Sequence, residues 1–154
     1  MQIRLQTLDH QRRALAALTH VFHGVDIDRK SILEANPVFD PSDPQIIHNI
    51  HELQNGAVKD LASIPSSWRQ RATDNTHILG VDTKMETGTG KTLVYTQFMY
   101  ELNRLYGFTK FIILVPSTPI KEGTRSFITS DYARQYFDDI YEGRVNLRLD
   151  VLES

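Results

Sequence analysis

The chain has 154 residues, with 17 Lys+Arg against 19 Asp+Glu, 40% hydrophobic residues and no cysteine. That composition can build a core, and it excludes a wholly disordered chain, a disulfide framework, thiolate metal sites and a cysteine nucleophile. A formal net charge of -2, with neither half a basic arm, argues against nucleic-acid binding by bulk electrostatics and leaves room for a local cationic groove. No stretch approaches the roughly 20 apolar residues of a membrane span, so a cytoplasmic protein with no membrane partner is expected.

Between Leu5 and Phe22 the residues Leu8, Leu15, Leu18 and Phe22 share one face of a predicted helix. Gln11 stands on the same stripe. It is either a polar residue at the helix edge or an amide turned inward to read a partner with its own donor and acceptor. Residues 24–43 form a predicted connector, punctuated by Asn36-Pro37, Asp40-Pro41 and Asp43-Pro44.

A second helix is expected next, with Asp43 as N-cap, Pro44 at the first helical position, Ile47, Ile50 and Leu53 as its stripe, and Gly56 in the left-handed position after it. His48 and His51 lie on it, and His51-Glu52 is half of a zinc-protease motif whose second histidine is replaced by Asn55, so no metal site is expected there. Residues 57–64 read as a further short helix ended by Pro65. Residues 66–76 are a polar stretch that holds the sole tryptophan, Trp68.

From residue 78 the pattern becomes α/β. Ile78 to Val81 is a short strand candidate, and residues 91–106 a helix with Val94, Phe98, Leu102 and Leu105 on one face and Gly107 as its stop. Residues 111–115 are an uninterrupted apolar run, the pattern of a strand covered on both faces of a parallel sheet. Helix starts are expected at Thr118-Pro119 and at Ser130-Asp131. Val145, Leu147, Leu149 and Val151 alternate with polar residues, as a half-buried strand does. Strand and helix alternating at this spacing predict a parallel sheet flanked by helices, with right-handed crossovers.

Between the first strand of this region and its helix lies Met85-Glu86-Thr87-Gly88-Thr89-Gly90-Lys91-Thr92. Backbone amides of a glycine-rich turn that opens a helix can gather on phosphate oxygens, and the helix dipole favours an anion there. Gly88 and Gly90 permit dihedrals and a closeness of approach that a β-carbon resists. Lys91 is placed to reach the outer phosphates, and the Thr92 hydroxyl to hold Mg²⁺. The expected nucleotide-binding residues are therefore Glu86, Thr87, Gly88, Thr89, Gly90, Lys91 and Thr92, with Lys91 and Thr92 also serving catalysis and Thr92 the metal.

Met85 stands where the strict G-x-x-x-x-G-K-[ST] pattern has glycine. With T-G-x-G-K-T after it, the loop resembles those of superfamily 2 helicases and translocases. In that resemblance, the segment from Leu8 to Leu15 is similar to the upstream helix whose glutamine reads adenine, which implies that role for Gln11. Val115-Pro116-Ser117 is similar to motif Ia, which implies that Pro116 and Ser117 touch a DNA backbone.

The resemblance narrows further. Residues 84–92, Tyr106-Gly107-Phe108, residues 110–113, Val115-Pro116-Ser117 and Ile120-Lys121-Glu122-Gly123-Thr124 resemble the Res subunit of type III restriction enzymes, closely from about residue 78 to 140 and more loosely back to residue 1. This implies a partial RecA-like P-loop domain over residues 77–154, carrying the phosphate loop and motif Ia, after an N-terminal helical segment over residues 1–76. It further implies ATP and Mg²⁺ as cofactors, double-stranded DNA and a methylating, sequence-reading Mod subunit as partners, and ATP-dependent DNA translocation and cleavage by the parent enzyme.

Hydrolysis needs a carboxylate for Mg²⁺ and another to orient water. In the superfamily these belong to a D-E-x-[DH] motif after four apolar residues, whereas Asp150 and Glu153 are the late acids of the strand-like segment here and neither has an acidic neighbour. The P-D…[DE]-x-K constellation of a restriction nuclease does not appear either, since residues 37–44 carry acids but no trailing acid-x-Lys at suitable spacing. The expectation is an N-terminal slice of a larger enzyme, able to bind nucleotide and unable alone to hydrolyse ATP or cut DNA. The alternatives are a piece of another superfamily 2 motor, or a non-catalytic nucleotide- or DNA-binding module. The Met85 variant and the lack of N-K-x-D speak against a GTPase or nucleotide kinase.

Overall fold

A computed structural model describes residues 5–28, 35–58, 66–73, 76–145 and 147–152, and the side chains of residues 66–73 and 76–78 are not described. The elements are α1 (Asp9–His20), α2 (Pro44–Gln54), β1 (Ser66–Thr73), β2 (Thr76–Thr83), α3 (Lys91–Tyr106), α4 (Thr118–Thr129) and α5 (Asp131–Tyr141). They divide between two compact units, one of Leu8–Lys110 and one of Met1–Thr7 with Phe111–Ser154.

In the first unit, α1 and α2 pack through Ala17, Val21, Ile46, Ile50 and Leu53, with Val25 completing the buried cluster. Each fully buried Ile or Leu removes enough apolar surface to contribute about 1.5–3 kcal/mol. Phe22 sits at the edge of this core with its ring 5.6 Å from Phe39 and 5.9 Å from Tyr106, whose hydroxyl donates to the Phe22 carbonyl at 3.0 Å. Both ends of α2 follow local chemistry. Asp43 accepts from the Gln45 N–H at 2.8 Å, Pro44 opens the helix, and Gly56 turns left-handed at φ 68°. Gly107 stops α3 in the same way, at φ 82°.

The buried face of α1 is rotated from the leucine stripe. Gln11, Ala14, Ala17 and Val21 are buried, Leu15, Leu18 and Phe22 are half-buried, and Leu8 is exposed. Small side chains on the inner face admit the close packing of α1 against α3. In α2 the stripe is Ile46, Asn49, Ile50 and Leu53, with Ile47 half-buried. Asn49 is tolerated there because its side chain donates to the Val21 carbonyl at 3.0 Å and to the His23 carbonyl at 2.7 Å, and accepts from Gln45 at 2.8 Å.

The sheet differs from the expectation. Residues 66–76, read as a polar stretch, supply β1, which pairs antiparallel with β2 in the register Trp68↔Val81 and Arg71↔Ile78. Ile78 to Val81 is therefore strand as predicted, but in a two-stranded antiparallel hairpin, and Leu79 and Val81 lie against the α1–α2 core. Alternation was hidden because the polar residues of β1 mask the period. The predicted helix over 57–64 falls, from residue 59 onward, outside the described residues.

The parallel sheet is not present among the described residues. In the second unit, residues 111–115 form no strand pairing, and their backbone groups bond to no described residue. The run is not covered on both faces, since Ile112 is 87% and Leu114 90% exposed. Val145 and residues 147–151 likewise form no strand pairing with a described residue, although Leu147, Leu149 and Val151 are half-buried and Arg148 and Asp150 exposed, as the alternation implies. An apolar or alternating pattern sets which side of a strand is buried; pairing also requires a neighbour, and no described residue supplies one. Helices α4 and α5 start where expected, with the Ser130 hydroxyl accepting from the Ala133 N–H at 3.4 Å, and they enclose Ile128, Ala133 and Phe137.

Candidate functional site

The turn from β2 into α3 is built on two left-handed glycines, Gly88 at φ 80° and Gly90 at φ 83°, the latter the N-cap of α3. Left-handed backbone at these positions turns the chain tightly into the helix, and L side chains resist it. The Thr89 hydroxyl donates to the Glu86 carbonyl at 2.6 Å and closes the loop on itself.

The N–H groups of residues 88–93 donate to no described residue. The first N–H groups of any helix lack intrahelical partners, and here the unpaired run extends backwards through the glycines. Such a run, at the positive end of a four-turn helix, is a ready acceptor site for an anion. The Lys91 ammonium lies on the carbonyls of Met85 and Glu86, at 3.1 and 2.8 Å, so the cation is held over the loop by two weak neutral acceptors that a phosphate oxygen can outcompete. Thr92, half-buried in the first turn of α3, has a hydroxyl with no described partner. Thr87 is exposed and forms no hydrogen bond with a described residue, and Glu86 contributes its carbonyl rather than its carboxylate.

Gln11 reaches this loop from α1. Its Nε2 donates to the Thr89 carbonyl at 2.9 Å, while its Oε1 accepts from the Leu8 N–H at 2.9 Å, the reach-back half of a capping box. The sequence leaves Gln11 as either a helix-edge residue or an inward amide, and the resemblance implies an adenine contact; in the structure it holds loop backbone. An amide has two donors and two acceptor lone pairs, so one of each remains on Gln11. His10 Nε2 lies 3.0 Å from the same Thr89 carbonyl, a contact that no pattern in the sequence announced. Two consecutive side chains of α1 thus converge on one carbonyl.

Pro116 and Ser117 belong to the other unit, where both are exposed and Ser117 is the N-cap of α4 with no bond from its side chain to the helix. His48 and His20 flank the Glu52 carboxylate at 3.6 and 3.3 Å, and no group of His, Asp or Glu able to hold a metal ion occurs among the described residues. Asp150 is exposed beside Arg148, and Glu153 lies outside the described residues. No described helix is long and apolar enough to cross a membrane.

A glycine-rich turn that opens a helix and is braced by an upstream glutamine is a strand-to-helix loop whose donors and dipole suit an anion. The comparisons with known proteins specify the family. Residues 4–148 match the family described as "Type III restriction enzyme, res subunit". The chain is 42% identical over 98% of its length to the type III restriction-modification enzyme StyLTI Res subunit of Salmonella typhimurium, and 36% identical over 97% to the EcoP15I Res subunit of Escherichia coli. It is 33% identical over 97% of its length to the EcoPI Res subunit of Escherichia phage P1. The chain therefore belongs to the type III restriction enzyme Res subunit family, a membership that implies a RecA-like helicase fold. It spans 12% to 15% of the length of these relatives.

Proposed function

We propose that this chain is the ATP-binding part of the motor in a type III restriction Res subunit, a cytoplasmic enzyme that moves on and cleaves double-stranded DNA together with a Mod subunit. The observation that carries the reading is the row of N–H groups over residues 88–93 with no partner among the described residues, set by two left-handed glycines and overlain by Lys91. Charge, donors and dipole all favour a polyphosphate at this turn.

In this reading Lys91 exchanges the Met85 and Glu86 carbonyls for phosphate oxygens and offsets their charge. The Thr92 hydroxyl would hold Mg²⁺, whose positive charge would lower the repulsion among the phosphates. Gln11 presents its remaining donor and acceptor to the adenine edge. Pro116 and Ser117, exposed at the start of α4, meet the DNA backbone, where the free Ser117 hydroxyl suits a phosphate oxygen. The chain has no adjacent acid pair after an apolar run, so binding without turnover is the expected property of these 154 residues.

The test is thermal or chemical unfolding with and without MgATP. Binding to the native state alone adds about 2.7 kcal/mol at a hundredfold excess over Kd. A midpoint that rises with MgATP in the wild-type chain and not in K91A supports the reading. An unchanged wild-type midpoint, or steady phosphate release that K91A abolishes, contradicts it.

A further inference from the structure

We infer that His10 is a positioning residue for the phosphate loop: by fixing the Thr89–Gly90 peptide it turns the Gly90 N–H toward the bound anion. The inference rests on the nucleotide-binding reading above and assigns to His10 a task separate from recognition of the base.

A carbonyl can only accept, so the His10 nitrogen 3.0 Å from the Thr89 oxygen is the protonated one and donates to it. Gln11 Nε2 donates to the same oxygen at 2.9 Å. Both lone pairs of this half-buried loop residue's carbonyl are thereby engaged by neighbouring residues of a helix whose own packing is fixed by Ala14, Ala17 and Val21. No cis peptide bond occurs among the described residues, and in a trans peptide the C=O and the following N–H point in opposite directions. Holding the Thr89 oxygen toward α1 therefore directs the Gly90 N–H away from α1, and that N–H has no described partner.

A glycine peptide is the one most free to flip, because Gly90 reaches either sign of φ at little cost. A single donor would leave the plane free to swivel about one bond, whereas two donors from a rigid helix restrict it. Gln11 alone cannot carry this role fully, since its Oε1 is tied to Leu8 and its spare groups are those available to a base. His10, half-buried and bonded to no other described residue, is dedicated to the loop.

The test measures the affinity of the full chain for MgATP, MgGTP and inorganic tripolyphosphate in wild type, H10A and H10Q. Alanine is a strong helix former and suits this half-buried first-turn position. The glutamine variant restores an N–H donor of similar reach. If His10 orients the peptide, H10A weakens all three ligands by a common factor of about three to ten, the value of one hydrogen bond, and H10Q recovers most of it. A loss confined to MgATP would make His10 a base contact, and unchanged affinity for tripolyphosphate would remove it from the site. Either result overturns the inference.

The amide resonance of Gly90 without ligand gives an independent reading. It shifts and exchanges faster in H10A and returns in H10Q if the peptide is held as argued; an unmoved resonance in H10A overturns the inference. A wild-type chain that binds none of the three ligands defeats the nucleotide reading, and the Gly90 amide still decides whether His10 fixes the loop.

Discussion

The Gln11 amide fills the space beside Gly90 that any side chain there would need: a β-carbon built on Gly90 lies 3.3 Å from Gln11 Cδ and closer still to Nε2. The absence of a side chain at Gly90 thus has two causes, a positive φ and an occupied neighbour, whereas Gly88 has the positive φ and nothing within 4 Å. The two glycines are separable by mutation. G88A carries the left-handed penalty alone, about 1 kcal/mol. G90A carries it and also displaces Gln11 from the Thr89 carbonyl, for a total of about 2–4 kcal/mol. Urea unfolding of the two variants measures the difference, and equal losses would show that Gln11 yields freely.

Lys91 separates stability from binding. Its ammonium is exposed and rests on two loop carbonyls, so K91A changes the ligand-free unfolding free energy by no more than about 0.5 kcal/mol. The MgATP-induced rise in midpoint is lost in the same variant. Calorimetric scans with and without nucleotide measure both quantities on one sample, and a K91A chain that melts several degrees lower without ligand would show that the lysine braces the loop.

Asn49 illustrates what a buried polar residue in an apolar stripe does. It is 1% exposed and satisfies the carbonyls of Val21 and His23 just past the end of α1. Replacing it by alanine leaves one buried and one part-buried acceptor and a small void, so N49A is expected to cost about 2–3 kcal/mol. N49L fills the void and keeps the loss of both bonds. Chemical denaturation of the pair apportions packing against hydrogen bonding, and a near-neutral N49L would mean that water reaches those carbonyls.

Local chemistry was readable in advance because its causes lie within a few residues. Asp43-Pro44, Gly56, Gly107 and Ser130 each bound a helix through their own dihedrals or side chains, and the loop from Gly88 to Thr92 is punctuated by its glycines. Partnership at a distance was not readable. The face of α1 depends on which residues fit beside α3, and that favoured alanines and Gln11 over the leucines. The pairing of β2 with the polar β1, the convergence of His10 on Thr89 and the bracketing of the Lys110 peptide by the Asn36 amide all join residues whose contact no sequence period encodes.

Residues 111–115 combine five consecutive apolar side chains with backbone groups that bond to no described residue. Such a run invites strand addition from another chain, and Ile112 and Leu114 present its open side. Substituting Leu114 by lysine places a charge on that side at a position where no packing is lost, so the folding free energy stays within about 0.5 kcal/mol. Light scattering at rising concentration is expected to show L114K monomeric where the wild type self-associates. Identical scattering curves would show that this run does not mediate association.

Thr96 offers a stabilising change. It is fully buried in the middle of α3, and its hydroxyl is a buried polar group with no partner among the described residues. A hydroxyl taken out of water without a hydrogen bond forfeits its solvation, and the loss is recovered when an apolar group of the same shape replaces it. Valine is that group, and its β-branching matches threonine, so helix propensity changes little. T96V is expected to raise the unfolding free energy by about 1 kcal/mol. It leaves the loop untouched, since Thr96 lies a full turn beyond Thr92. The readout is the urea midpoint at constant slope, with MgATP binding as the control. A lower midpoint in T96V would mean that the hydroxyl finds an acceptor in solution, the carbonyl one turn earlier in α3 being the candidate.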